Sequence, residues 1–399
     1  MSDSSRNNHV STDCAHAGEE QLESISTPSV MPIYQTSVFN FPDLDAVDDA
    51  SSGRRPGFIY GRYGLPNHIA LETIIAKLER AEGAIAVASG MGAIVAALWT
   101  MLTSGDELVI ANDCYGGTLS MAARDFSRLG IASRFVPVTD LSAIDAAFSS
   151  KTKVLLVETI SNPLWNAIDV GAVAELCHRR GVKLLVDNTV ATPYLICPLT
   201  LGADAVVHSA TKYLGGHHDV TAGLLVGDKE FVSQAREVLI RTGAFLAPFD
   251  AWMTVRGIKT FALRMERICS NAIQIARFLE SYPRIGRVYY PGLESHAQNA
   301  IVRRTMKGLG GGMMSFEIQG EGNASEAVDA FLSRLKMIRL APSFGGVTTT
   351  LSHPAKTSHR SLTPEQRNDA GISDTLLRLS VGIEEPEDIL EEFRRALTF

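Results

Sequence analysis

The stretch VKLLVDNTVATPYLICPLTLGADAVVHSATK, residues 182–212, decides the fold. It contains two short apolar runs of strand length, Leu184–Val186 and Ala205–His208, and each is followed at once by polar residues. Asp187 follows the first run, and Lys212 ends the polar segment after the second. Because ligands of open parallel sheets bind beyond the carboxyl ends of the strands, we expect these two side chains to meet at one rim.

Apolar runs of the same kind recur before this stretch and alternate with segments of helical spacing, which is typical of a parallel sheet. The further candidate strands are Ala84–Ala88, Glu107–Ala111, Ser133–Pro137 and Val154–Glu158. A last run, Leu224–Val226, follows too closely for a crossover connection, which favours an antiparallel strand. The pattern predicts an α/β fold around a mostly parallel sheet.

The chain of 399 residues is long enough for more than one domain. Residues 1–63 are rich in Ser, Pro, Asn and Gly and predict an extended arm. Residues 64–259 open with a helical pattern over Asn67–Glu82 and contain all the candidate strands. Residues 260–399 begin with a long predicted helix, Thr260–Leu279, and continue with mixed strands and helices. We therefore predict an arm, a large domain and a smaller α+β C-terminal domain.

Composition excludes several classes of function. A net charge of -7 gives no broad cationic surface, so we expect no binding to nucleic acid or to an anionic membrane. The five cysteines are odd in number and form no C-x-x-C pair, which argues against a disulfide framework or a zinc site. The adjacent His217 and His218 cannot both face one ion comfortably, so we predict no metal. With no apolar signal segment and no run of eighteen apolar residues, we predict a cytoplasmic protein.

A glycine-rich turn supplies the third part of the predicted site. The segment Ser89–Gly92 follows the first candidate strand and precedes a helical run, so it offers free backbone N–H groups to a phosphate. Alone, it has a simpler explanation as a turn, just as Asp187 does as a helix cap and Lys212 as a solvated lysine. Together they are what pyridoxal phosphate (PLP) needs: an anion cradle, an acid for the pyridine nitrogen and a lysine for the Schiff base.

Four motifs then resemble the Cys/Met-metabolism family of PLP enzymes, which includes cystathionine γ-synthases, cystathionine γ-lyases and methionine γ-lyases. They are SGMGA (89–93), DCYGGT (113–118), VDNT (186–189) and HSATKY (208–213). Further matching segments extend the resemblance, in order, over nearly the whole chain: Tyr60–Tyr63, Glu158–Pro163, Pro248–Trp252, Arg256–Thr260, His353–Ala355 and Leu377–Gly382. The resemblance implies fold type I, with a mostly parallel seven-stranded sheet covered by helices on both faces and a smaller α+β C-terminal domain.

The resemblance also implies cofactor contacts. Lys212 would form the Schiff base and then carry protons, and Asp187 would pair with the pyridine nitrogen. Tyr115 would stack on the ring and act as acid or base on the leaving group, a role that suits a phenol of lowered pKa. Residues implied to hold the phosphate are Gly90, Met91, Ser209 and Thr211 and, from a neighbouring subunit, Tyr60 and Arg62. Sites shared across a dimer fit a homotetramer built as a dimer of dimers.

On the substrate side, the resemblance implies that Arg378 clamps the carboxylate of a small amino acid with help from Ser343 and Asn162, since a guanidinium fork matches a carboxylate. The implied reaction is γ-elimination through a vinylglycine-like intermediate. A γ-replacement synthase of the cystathionine γ-synthase or O-acylhomoserine sulfhydrylase type stays open as an alternative. An NAD-dependent dehydrogenase, using the Gly90 turn and Asp113, is a distant one.

Three positions depart from the family pattern: Gly117, Thr348 and His218. Methionine γ-lyases usually have cysteine at the place of Gly117, which weakens a methionine assignment. Many members have glutamate at the place of Thr348, where a carboxylate would suit the distal ammonium of cystathionine. A γ-substituent with an unusual distal group, such as the oxyguanidine of a canavanine-type amino acid, therefore stays open beside methionine and cystathionine.

Overall fold

The structure is a computed structural model that describes residues 26–320, 324–360 and 363–398. The chain divides into two compact units, Met1–Pro32 and Ile33–Phe399, and every helix and strand named below lies in the second. The first 25 residues of the predicted arm lie outside the described residues. The predicted boundary between large and small domains, near residue 259, remains a prediction.

A seven-stranded sheet forms the larger part of the fold. Its strands are β1 (Gly83–Val87), β2 (Glu107–Ala111), β3 (Ala132–Val136), β4 (Thr152–Glu158), β5 (Lys183–Asp187), β6 (Ala205–Ser209) and β7 (Gly223–Gly227). They lie in the order β1-β7-β6-β5-β4-β2-β3. Only β7 runs against its neighbours, as predicted, and the other pairings are parallel. The central strands are apolar and buried because helices cover a parallel sheet on both faces.

A five-stranded sheet forms the smaller part. Its strands are β8 (Ile285–Tyr289), β9 (Met313–Ile318), β10 (Arg339–Leu340), β11 (Thr350–Ser352) and β12 (Leu376–Ser380). They lie in the order β10-β11-β12-β9-β8, with β10 and β11 parallel and the remaining pairs antiparallel. A cluster of three aromatic rings, Phe316, Phe331 and Phe393, packs beneath this sheet with centroids 5.8 to 6.2 Å apart. The predicted fold class is thereby confirmed.

The helices connect and cover the strands. They are α1 (Leu44–Ser51), α2 (Pro66–Glu79), α3 (Gly90–Met101), α4 (Gly116–Ser120), α5 (Leu141–Ala147), α6 (Val170–Arg179), α7 (Thr192–Leu195), α8 (Lys229–Thr242), α9 (Pro248–Ile258), α10 (Phe261–Ser281), α11 (Asn299–Thr305), α12 (Ala324–Ser333), α13 (Pro364–Asp369) and α14 (Pro386–Ala396). Within the described residues, no helix has the length and apolar character that crossing a membrane requires.

Two helix predictions need correction. The predicted arm contains α1, which the Asp43 side chain caps by accepting a hydrogen bond from the Ala46 N–H. The helix predicted over Asn67–Glu82 ends at Glu79, because Arg80 takes the left-handed conformation (φ 57°) that terminates helices. The long predicted helix Thr260–Leu279 is confirmed as α10.

Close backbone packing sets the geometry at the carboxyl rim of the large sheet. A Cβ on Gly223 would lie 2.0 Å from the carbonyl oxygen of Ser89, and a Cβ on Gly90 would lie 2.7 Å from the Cβ of Ser209. Glycine alone permits these approaches. The N-terminus of α3 is therefore held directly beside the end of β6.

Candidate active site

A cavity of about 570 Å³ opens at this rim, and we call it the Lys212 cavity. Nine of the predicted site residues line it: Gly90, Met91, Tyr115, Asn162, Asp187, Ser209, Thr211, Lys212 and Arg378. The ends of β4, β5 and β6, the start of α3 and one strand of the small sheet thus contribute to a single site. The alternative acid Asp113 lines a neighbouring cavity instead.

The anion-binding part of the cavity is the N-terminus of α3. Ser89 caps this helix, its Oγ accepting a hydrogen bond from the Gly92 N–H at 3.1 Å. The first N–H groups of a helix have no acceptor within the helix and favour an anion. Thr211 is partly engaged elsewhere, since its hydroxyl donates to the Ala222 carbonyl oxygen at 3.3 Å and accepts from the Ala222 N–H at 3.1 Å.

The Lys212 amine lies in a desolvated, cationic environment. Its Nζ donates a hydrogen bond to Ser343 Oγ at 2.9 Å and lies 4.8 Å from the centroid of the Phe344 ring. Burial and the nearby Arg378 guanidinium lower the pKa of Lys212 to about 8. About one amine in ten is therefore neutral, and hence nucleophilic, at pH 7, far more than for an ordinary lysine.

Half-buried Asp187 lies beside the buried carboxyl group of Glu158. It lies opposite Glu158 in the parallel register of β4 and β5. Burial and the charge of Asp187 raise the pKa of Glu158 well above its usual range, which favours the neutral form of this carboxyl group. Burial also raises the pKa of Asp187, but the Thr189 N–H, which donates to Asp187 Oδ1 at 2.9 Å, opposes that shift. A cation placed against Asp187 would hold it ionised.

Tyr115 projects into the cavity from the turn that begins α4. The residue is 54% exposed, and its backbone N–H donates to Glu158 Oε1 at 2.6 Å. A Cβ on Gly117 would lie 2.5 Å from Cε1 of the Tyr115 ring. The missing side chain at Gly117 therefore permits the observed ring position.

Arg378 is the buried cation of the site. It is 4% exposed, and burial lowers its pKa to about 10. Its Nη2 donates to the Pro342 carbonyl oxygen at 2.8 Å, and its Nη1 lies 3.5 Å from Asn162 Oδ1. Ser343 contacts Lys212 and, through its carbonyl oxygen, Arg378. An α-carboxylate is the natural anion to complete this environment.

Tyr60 and Arg62 are not among the described residues that line the cavity of the same chain. Tyr60 is exposed, and the Arg62 guanidinium lies 5.6 Å from the Tyr60 ring centroid while donating to the Ile240 carbonyl oxygen at 2.9 Å. Their predicted place in a neighbouring subunit's site stays a prediction.

Sequence reasoning missed the pairing of Glu158 with Asp187 and the contributions of Thr189, Thr357 and Ser358 to the cavity wall. Glu158 ends a predicted strand, so the strand-end rule that selected Asp187 could have selected it too. Thr357 and Ser358 come from the small-sheet part of the chain, and only the tertiary fold places them here.

The cavity fits PLP on three observations. The start of α3 leaves room for a phosphate because Gly90 has no side chain, and a Cβ there would fill the space beside Ser209. Asp187 provides a half-buried carboxyl for a protonated ring nitrogen, and Lys212 provides an amine of lowered pKa for the aldehyde.

Comparison with known proteins agrees with this fit. The profile of the family described as Cys/Met metabolism PLP-dependent enzyme matches residues 11–398. The chain is 43% identical over 391 residues to L-methionine γ-lyase of Fusobacterium nucleatum subsp. polymorphum, covering 97% of this chain and 98% of that protein. It is 42% identical over 381 residues to cystathionine γ-lyase of Bacillus subtilis (strain 168), covering 95% of this chain and 96% of that protein.

One solved structure that is similar to this chain contains a lysine joined to the cofactor. A protein of Campylobacter jejuni subsp. jejuni, assigned as O-acetylhomoserine (thiol)-lyase, superposes with a TM-score of 0.88 at 29% identity, covering 93% of this chain and 95% of that one. It contains N'-pyridoxyl-lysine-5'-monophosphate. The predicted family and cofactor are confirmed: this chain belongs to the Cys/Met-metabolism family of PLP-dependent enzymes.

Proposed function

We propose that this enzyme is a γ-lyase, which eliminates the γ-substituent of a small L-amino acid. The observation that carries the proposal is the similarity, at 42 to 43% identity over nearly the full chain, to a methionine γ-lyase and a cystathionine γ-lyase. The net reaction consumes water and one amino acid and yields a 2-oxo acid, ammonia and the protonated leaving group. The bonds broken are Cα–H, Cβ–H, Cγ–X and Cα–N.

PLP, when bound, supplies an electron sink that stabilises negative charge developing on the substrate. The neutral fraction of the Lys212 amine would accept the Cα proton and move protons to and from the substrate carbons. The exposed Tyr115 phenol would donate a proton to the departing γ-substituent. Asp187, ionised by a cationic ring nitrogen, would keep that nitrogen protonated.

Substrate binding would depend on Arg378. Its guanidinium would bind the α-carboxylate, with Asn162 and Ser343 supporting it, in a buried environment that strengthens a charge-assisted hydrogen bond. We propose that Gly90, Met91, Ser209 and Thr211 surround the phosphate, with the start of α3 supplying N–H groups.

The candidate substrates are methionine, cystathionine and canavanine-type amino acids. Thr348 is exposed and Gly117 has no side chain, so this chain lacks two groups that the family often presents to the distal part of a substrate. These two differences weaken the methionine and cystathionine assignments without excluding them, so we propose a canavanine-type oxyguanidine as a candidate beside both.

Tyr60 is exposed and the half-buried Arg62 lies beside its ring, which supports an assembly in which residues 1–63 reach a neighbouring subunit's phosphate site. We propose a homotetramer built as a dimer of dimers, in which residues 64–259 form the cofactor domain and residues 260–399 the smaller domain. We also propose that the enzyme works in the cytoplasm.

A γ-replacement synthase is the second candidate function. It is favoured by the structural similarity to the O-acetylhomoserine (thiol)-lyase of C. jejuni, although that similarity holds at 29% identity. The two candidates differ in whether a nucleophile replaces the leaving group.

A substrate panel tests the proposal. The PLP-loaded enzyme is given methionine, homocysteine, cystathionine, canavanine or an O-acylhomoserine, each with and without added thiol, and 2-oxo acid and ammonia are measured. Release of both without thiol supports the γ-lyase and identifies the leaving group. Turnover of an acylhomoserine that requires thiol would instead establish the synthase.

A further inference from the structure

The loop Ser161–Asn166, which carries Asn162 into the Lys212 cavity, is held from the side of the large sheet by Asp113. One carboxylate oxygen of Asp113, Oδ2, accepts hydrogen bonds from Ser161 Oγ at 2.5 Å and from Asn166 Nδ2 at 3.2 Å. These contacts fix both ends of the loop.

The middle of the same loop is held from the small sheet by one hydroxyl group. Ser315 Oγ, in β9, accepts a hydrogen bond from Trp165 Nε1 at 2.9 Å and donates one to the Pro163 carbonyl oxygen at 2.7 Å. Trp165 and Ser315 are both fully buried. Trp165 also has φ of 59°, a conformation that a bulky residue rarely adopts and that the surroundings must stabilise. Within the described residues, Ser315 Oγ is therefore the only hydrogen-bond partner of the Trp165 indole N–H and of the Pro163 carbonyl oxygen.

Ser315 is also the cross-strand neighbour of Arg378. The antiparallel register of β9 and β12 pairs these two residues directly. Arg378 in turn reaches back to the loop, because its Nη1 lies 3.5 Å from Asn162 Oδ1. Ser315 is thus paired with Arg378 across the strands and hydrogen-bonded to the loop whose Asn162 lies beside the Arg378 guanidinium.

We propose that Ser315 is a positioning residue, which holds Asn162 at the separation from Arg378 that an α-carboxylate requires. The inference rests on the proposed function for the nature of the anion. Ser315 is fully buried and is not among the described residues that line the cavity, so it does not touch the substrate. Its effect reaches the carboxylate through Pro163, Trp165 and Asn162.

The chain offers a matched control. Ser352 in β11 is the neighbour of Arg378 on the other side, again in direct register. It is also buried, at 3% exposure, but its Oγ has no hydrogen-bond partner within residues 26–320, 324–360 and 363–398. Ser315→Ala and Ser352→Ala therefore remove the same atom beside the same arginine, and only the first breaks hydrogen bonds to the loop.

The experiment compares ligands with and without the carboxylate charge. L-Alanine and L-alaninamide, which have no γ-substituent to lose, are titrated into wild-type holoenzyme and each variant, with binding followed by the change in cofactor absorbance near ~420 nm. We expect Ser315→Ala to weaken alanine binding about tenfold and alaninamide binding less than about twofold, because only alanine uses the clamp. Ser352→Ala should change neither by more than about twofold.

Turnover gives a second measurement. For the best γ-substituted amino acid, Ser315→Ala should raise KM about tenfold while kcat changes less than about threefold, because the lost interaction binds substrate rather than the reacting atoms. If Ser315→Ala does not fold, Trp165→Phe keeps the bond from Ser315 to Pro163 and should raise the alanine Kd by a smaller factor.

The inference would be overturned if the two serine variants weakened alanine binding equally, or if Ser315→Ala lost as much affinity for alaninamide as for alanine. Either result would leave the proposed γ-lyase activity intact. Unchanged alanine binding in Trp165→Phe, measured where Ser315→Ala does not fold, would overturn it too. A wild-type holoenzyme that binds no α-amino acid would refute the proposed function, and the positioning role with it.

Discussion

The Lys212 amine should capture an aldehyde at a pH where an ordinary lysine barely reacts. Burial and the Arg378 cation lower its pKa to about 8, from a usual value of 10.5. Only the neutral amine attacks a carbonyl. At pH 7 the neutral fraction is roughly one in ten for a pKa of 8 and roughly one in 3,000 for a pKa of 10.5, so the structure predicts an advantage of about 300-fold.

Stopped-flow absorbance of the apoenzyme mixed with PLP measures this advantage. The rate of capture is followed from about pH 6 to about pH 10 and divided by the rate for Nα-acetyl-lysine at the same pH, which removes the titration of PLP itself. The ratio should be largest at low pH and should fall above about pH 8, where the neutral fraction of Lys212 levels off. A constant ratio across the range would mean that Lys212 has an ordinary pKa and would refute this account of its activation.

Three further predictions concern single substitutions. Lys212→Met should stabilise the apoenzyme below pH 8 by at most ~3 kcal/mol, because the lowered pKa means that folding penalises the charged amine. Between pH 8 and 10.5 the unfolded wild-type chain binds more protons than the folded one, so the stability difference between variant and wild type should shrink as pH rises through that window. Urea titrations that show no such trend would contradict this prediction. Gly117→Ala should displace the Tyr115 ring, since the added Cβ would lie 2.5 Å from Cε1 of that ring. Because the phenol would then be misplaced, kcat should fall about tenfold or more. A variant with unchanged kcat and an unchanged Tyr115 position in its crystal structure would disprove the contact. Asp187→Asn should weaken PLP binding by roughly 10- to 100-fold, the worth of a charge-assisted hydrogen bond, and equilibrium dialysis that finds the wild-type Kd would exclude the assigned partner.

Much of the fold could be predicted from local pattern. Leu184–Val186 and Ala205–His208 are apolar on both faces, which is typical of strands covered by helices, and they became the centre of the sheet. The short connection before Leu224–Val226 correctly indicated an antiparallel strand. Helix α1 was missed because its surroundings are rich in turn-forming residues, and its cap at Asp43 is a single local contact.

The candidate site was only partly predictable. Asp187 and Lys212 follow apolar strands, so the strand-end rule places them at one rim without knowledge of the remaining structure. The lowered pKa of Lys212 was not predictable, because it depends first on burial in the folded chain and second on Arg378, which is distant in sequence. The link from Ser315 to Trp165 joins residues 150 positions apart and requires a left-handed Trp165, which no periodicity indicates.

Competition between water and a thiol tests the central claim most directly. The holoenzyme is given an O-acylhomoserine with a large excess of a thiol such as cysteine, and 2-oxo acid and thioether are quantified in the same reaction. A γ-lyase should release mainly 2-oxo acid and ammonia, at a rate that the thiol does not increase. Thioether as the main product, with little 2-oxo acid when thiol is omitted, would contradict elimination and make this enzyme a synthase.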